Sequence, residues 1–134
     1  MKTNQTIKER FTLDMSVAVQ DVSTADVTGS YVDMANFNRV AAVVVTDELA
    51  ADDAVSIQLL QAKDSSGTDA KDLGDAVSVT GTADTAEQLF AEAKATDLDA
   101  DFSHVAVKIS ATPDGTTTVN AAGSIIRADG SYRP

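Results

Sequence analysis

The sequence has no cysteine, no tryptophan, one histidine, two prolines and a 4% aromatic content in 134 residues. The missing cysteine excludes structural disulfides and thiolate-held metals, and a lone histidine leaves too few ligands for a zinc or copper site. That histidine, His104, is also the only imidazole available to activate a Ser or Thr nucleophile. It falls on the polar face of a predicted strand with no motif around it, and is read as a surface or pocket-edge residue. No Gly-rich phosphate loop and no HExxH motif occurs. Neither catalysis nor a cofactor is expected. The scarcity of aromatics leaves few platforms for stacking sugars. No apolar run approaches the roughly 20 residues of a membrane span. Residues 1–10 are polar and charged with no apolar stretch behind them, so no secretory signal is expected. At this length a single domain is expected.

Positive charge is also scarce. The net charge of −11 argues against nucleic acids and anionic membranes as partners, since both select basic footprints. Half of the basic residues lie in the two end segments. Lys2, Lys8 and Arg10 face one acid, Glu9, in residues 1–10, and Arg127 and Arg133 face Asp129 in residues 125–134. The reading is a basic N-terminal arm over 1–10 ahead of one β domain over 11–134. Lys2, Lys8, Arg10, Arg127 and Arg133 become candidate contacts to an acidic partner, a neighbouring copy included. The plain alternative is a pair of solvated, frayed ends.

Most of the chain is patterned for strands. Phe11, Leu13, Met15, Val17 and Val19 alternate with polar or small residues, which predicts a strand with one buried face. Residues 31–34 read as a short strand. Residues 39–46 (Arg-Val-Ala-Ala-Val-Val-Val-Thr) are β-branched and apolar enough to predict a strand buried on both faces. Val55, Ile57 and Leu59 alternate again, residues 63–72 have loop composition, and Val77 and Val79 mark another strand. Val105, Val107 and Ile109 share one face of a strand, Thr112-Pro-Asp-Gly115 signals a turn, and 116–127 returns, so a hairpin is expected over 103–127. Residues 84–96 are two-sided. Asp84 and Glu87 have capping-box spacing and admit a short helix near 84–94, while the flanking β pattern favours a strand. The expected fold is all-β: a β-sandwich or jelly-roll-like barrel of about seven or eight mainly antiparallel strands.

Asp97, Asp99 and Asp101 open like an EF-hand calcium loop, but Phe102 stands where the loop needs Gly and Lys108 where it needs Glu. They are at most weak metal candidates, with a solvated acidic turn as the simpler reading.

The segments Phe37-Asn-Arg-Val-Ala-Ala-Val-Val-Val45, Val55-Ser-Ile-Gln-Leu-Leu-Gln-Ala-Lys-Asp64, Asp97-Leu-Asp-Ala-Asp-Phe-Ser-His-Val-Ala-Val107 and Tyr132-Arg-Pro134 together resemble small virion proteins of tailed bacteriophages, the head decoration or cement proteins. The likeness covers about residues 31–134 and lies in strand texture. It implies a β-sandwich on the capsid exterior that binds the major capsid protein, stabilises the head and forms an oligomer, with a trimer plausible. It implies a chain made in the host cytoplasm and located on the virion. The rival readings are a tail-tube, tail-terminator or connector subunit, and a virion-surface adhesion or carbohydrate-binding module.

Overall fold

The computed structural model describes residues 11–129. The arm expected over 1–10 lies outside them, as do Lys2, Lys8, Arg10 and Arg133.

Nine strands follow one another: β1 (Phe11–Asp21), β2 (Val27–Thr28), β3 (Val32–Asp33), β4 (Arg39–Leu49), β5 (Ala54–Ala62), β6 (Lys71–Thr80), β7 (Thr85–Lys94), β8 (His104–Thr112) and β9 (Asn120–Ala128). One 3-10 turn, Ala95–Asp97, follows β7. The first sheet runs β1-β9-β4-β7 and the second β2-β8-β5-β6, with β3 also on β8. All the pairings are antiparallel. The two-residue strands β2 and β3 lie in turn along β8, at Val27↔Ile109 and Val32↔Val105, as pieces of one interrupted strand. Taken as one, they leave eight strand positions, and every connection except the β5–β6 hairpin crosses between the sheets. That winding is a double-sheet jelly roll.

The hairpin expected over 103–127 is not formed. The strand β8 pairs with β2, β3 and β5, whereas β9 pairs with β1 and β4. The turn at 112–115 exists, with Gly115 at φ 72°, but the chain uses it to cross the sandwich. Alternation identifies the inward residues of a strand without identifying its neighbour. Here the two inward faces meet across the core: Gly123 of β9 packs on Ile109 and Val107 of β8, and all three residues are buried.

Within residues 84–96 the chain forms a strand over Thr85–Lys94, not a helix, and enters the 3-10 turn at Ala95. Asp84 has φ 49° and Ala83 φ 151°, which removes the capping geometry a helix start needs. The strand β7 instead pairs with β4 from Arg39↔Lys94 to Leu49↔Thr85, and Leu89 and Ala91 enter the core. Tertiary pairing of an 11-residue strand outweighs a local helical preference worth tenths of a kcal/mol per residue.

Two burial expectations are also corrected. In β1, bulges between Met15 and Val17 and between Val17 and Gln20 break the alternation. Val17 alone of its apolar set is buried, while Phe11, Leu13, Met15 and Val19 are 42, 69, 78 and 78% exposed. In β4, Val40, Ala42 and Val44 are buried, but Ala41 and Val43 are half-buried and Val45 is 48% exposed. The strand buried on both faces is the distal half of β5, where Ile57 through Ala62 are all inaccessible or nearly so. Its Gln58 amide fills the β5–β6 bulge, donating to the carbonyls of Leu59, Leu73 and Gly74 at 2.9, 3.2 and 3.0 Å.

Asp53 fastens one end of the sandwich. It is 1% exposed, and its Oδ1 accepts from the Asp114 amide and the Thr117 hydroxyl, both at 2.7 Å. The Gly81 amide donates to its carbonyl at 2.7 Å. Three crossing connections are thus tied to one residue.

Candidate interaction surface

Cross-strand register defines the outward face of the first sheet row by row. Phe11, Ala128, Arg39 and Lys94 form the first row, and Leu13, Ile126, Ala41 and Glu92 the second. Met15, Ser124, Val43 and Phe90 form the third, and Ala122, Val45 and Gln88 the fourth. Glu48 opposite Ala86 closes the far end. Most of these positions are apolar. Among the described residues, all six large hydrophobics classed as exposed belong to this sheet: Phe11, Leu13, Met15, Val19, Val45 and Phe90. The second sheet contributes none. A contiguous apolar face of this kind on an acidic chain is a candidate contact surface.

Charge on this face lies mostly at its ends, with Arg39 and Lys94 in the first row, Glu92 in the second, and Glu48, Asp21 and Asp47 at the far end, the last two beside Asn120. Arg39 is further paired with Asp129 at 3.1 Å. A shallow, open recess of about 150 Å³ lies at this corner between Arg39, Glu92, Ala93, Lys94 and Asp97. Its lining is too mixed and too open to enclose a small molecule.

Arg127 is committed inside the protein. Its guanidinium pairs with Asp14 at 3.0 and 3.1 Å, donates to the Asp33 carbonyl at 2.8 Å and lies 4.7 Å from the centre of the Phe37 ring. The side chain is 16% exposed. It joins β1, β3 and β9, and sequence reading missed this because Asp14 counted as a solvent-facing position.

The three candidate metal ligands do not converge. Asp97 Oδ2 accepts from the Lys94 amide at 2.9 Å and caps the 3-10 turn. Asp99 forms an ion pair with Lys71. Asp101 sits in the left-handed region at φ 69°. Among the described residues no group of three or more His, Cys, Asp or Glu is arranged to hold a metal ion.

His104 Nδ1 lies 2.7 Å from the neighbouring Ser103 hydroxyl, and Asp64 is close enough for the imidazole to favour its ionised form. The trio has the residue types of a catalytic triad but not the geometry. The Ser103 hydroxyl also donates to the Lys63 carbonyl at 3.2 Å. Asp64 orients no imidazole; its oxygens accept from the Thr68 hydroxyl and from the Ser66 and Thr68 amides. Those bonds, the Thr68 hydroxyl first, hold its carboxyl below the usual range. Asp53 is lowered likewise, chiefly by Thr117 and then Asp114. Tyr31, half-buried against Gly67, is raised by desolvation. The Asp53 and Asp64 shifts arise from bonds that fasten loops.

No family model matches the chain, and no curated protein matches it. Among solved structures it is similar to a chain of the infectious bursal disease virus Gx strain, with TM-score 0.59 and 10% identity over 93% of this chain and 33% of that one. A chain of the T13 particle of the same virus gives TM-score 0.54 and 11% identity, over 90% of this chain and 31% of that one. The VP2 subviral particle gives TM-score 0.54 and 10% identity, over 91% and 33%. The protein spans about a third of the length of these chains. At such identity the likeness is one of fold: two antiparallel sheets packed as a jelly roll.

Proposed function

We propose that this protein is a virion structural component, a decoration protein that attaches to the outside of a tailed-phage head and stabilises it. The observation that carries the reading is an acidic jelly roll whose one weakly charged face is apolar. Such a body suits a molecule held among many identical neighbours, where repeated weak contacts add to firm attachment. Its acidic remainder keeps a particle bearing many copies soluble. The strand texture shared with phage decoration proteins supports the same reading, and so does a fold of the kind found in the virus particle chains. The major capsid protein is the partner, engaged through the basic residues Lys2, Lys8 and Arg10.

The test mixes purified protein with expanded heads that lack it, then sediments and images the particles. Copies bound to the head exterior, with raised resistance to heat, are the expected result. Attachment through exposed charges should weaken with salt, because they are screened beyond roughly 8 Å at physiological ionic strength. Deleting residues 1–10 should weaken attachment and leave the β domain folded. Assembly with tail components and not with heads would replace this reading by that of a tail subunit.

A further inference from the structure

The outward face of the first sheet has the composition of an interior. Leu13, Ile126, Ala41, Val43, Met15 and Phe90 lie side by side across its four strands. Residues 1–10 contain two large apolar side chains, Met1 and Ile7, and residues 130–134 contain only Tyr132.

We infer that this face is the contact between two copies of the chain, related by a two-fold axis and packed sheet to sheet. Three features carry the inference. The first is charge. The described residues hold 17 Asp and three Glu against six Lys and Arg, so a second copy is repelled from most of the surface. On this face the rows between the two ends carry one charge, Glu92, while Arg39 and Lys94 stand at one end and Glu48, with Asp21 and Asp47 beside Asn120, at the other, so the apolar centre adds little to that repulsion.

The second is polarity along the face. Arg39 and Lys94 occupy one end and Glu48 the other, with the apolar rows between. A two-fold axis that lies in the contact plane and runs across the strands sets the cationic end of each copy over the anionic end of its mate. An isologous contact needs that self-complementarity.

The third is size. Four strands about 4.8 Å apart and as long as β4 cover roughly 600 Å² of flat sheet, and more with side-chain relief. That is close to the roughly 800 Å² per partner of a standard stable interface. Sheets packed this way lie about 10 Å apart with strands within about 30° of alignment. The β1 edge is less suited to the purpose, because its two bulges disrupt its free ladder against strand addition.

The inference goes beyond the head-binding proposal and stands without it. Sedimentation velocity on the full chain, from about 1 to about 100 µM, should give twice the chain mass of 13.9 kDa. Leu13→Glu combined with Phe90→Lys should weaken association by about 100-fold or more, because each copy would have to desolvate charges in the contact. Both positions are more than half exposed, so circular dichroism should report an unchanged fold. Ser78→Glu on β6 of the second sheet should leave the pair intact. A monomer across the whole range, a mass of three chains, a pair that survives the double substitution, or one lost with Ser78→Glu would each overturn the inference. Capsid binding by a monomeric protein would leave the functional proposal standing while this one fails. A two-fold pair that binds no heads would do the reverse.

Discussion

Replacing Leu13 and Val17 by alanine should give opposite results, although the two residues share strand β1 and the same parity. Uninterrupted alternation would put both side chains in the core. The bulge between Met15 and Val17 leaves Leu13 69% exposed and Val17 2% exposed. Val17→Ala removes two buried methyl groups at about 0.8 kcal/mol each and leaves a cavity beside β9, so a loss of about 2–3 kcal/mol is expected. For a chain of this length that lowers the melting temperature by about 6–12 °C. Leu13→Ala removes atoms already in water and should stay within about 0.5 kcal/mol. Both changes belong in a Phe90→Lys background, so that association does not add its own stabilisation. Urea unfolding followed by circular dichroism reads the difference as a shifted midpoint at constant slope. Equal losses, or a larger loss at Leu13, would refute the bulged register of β1.

Acid should destabilise the fold through specific carboxylates. Asp21, Asp53 and Asp64 are held below the ordinary value of 3.8 by hydroxyl and amide donors, so their stabilisation is complete above the unfolded value and is lost as pH falls through the lowered folded values. Asp53→Asn should flatten the fall in melting temperature below about pH 4, and an unchanged profile would remove Asp53 from the account. Arg127→Met should cost about 2 kcal/mol in thermal or urea unfolding, because it strands the half-buried Asp14 carboxylate and the Asp33 carbonyl. The folded variant should still attach to heads; lost attachment with the fold retained would make Arg127 part of the partner surface.

The all-β architecture was legible in the sequence because period-2 patterning and turn residues are local. Val105, Val107 and Ile109 fall in the core as their alternation predicts, and the loop composition of 63–72 marks the β5–β6 connection, although Lys71 and Asp72 already open β6. What stayed hidden was decided by distant parts of the chain. Nothing near Thr112–Gly115 states that the returning strand joins β1 and β4, so an arch reads as a hairpin. Nothing within 84–94 states that β4 needs a partner, so a capping pattern competes with the strand that forms. The apolar face was hidden for the same reason. Phe11, Leu13 and Met15 look like core residues, and only a bulge set by pairing with β9 turns them outward. Val43 and Val45 look buried on both sides until the second sheet is seen to cover only one.

The claim that this outward face is the working surface is tested most directly on its side-chain methyl groups. Nuclear magnetic resonance with a soluble nitroxide reports how open each methyl is to solvent. At high dilution the signals of Leu13, Met15, Val43 and Ile126 should be broadened by the probe. In the associated protein they should become protected, while Val27 and Val77 on the second sheet stay as they were. Face methyls that remain equally open in both states, or protection that falls on the second sheet instead, would contradict the account.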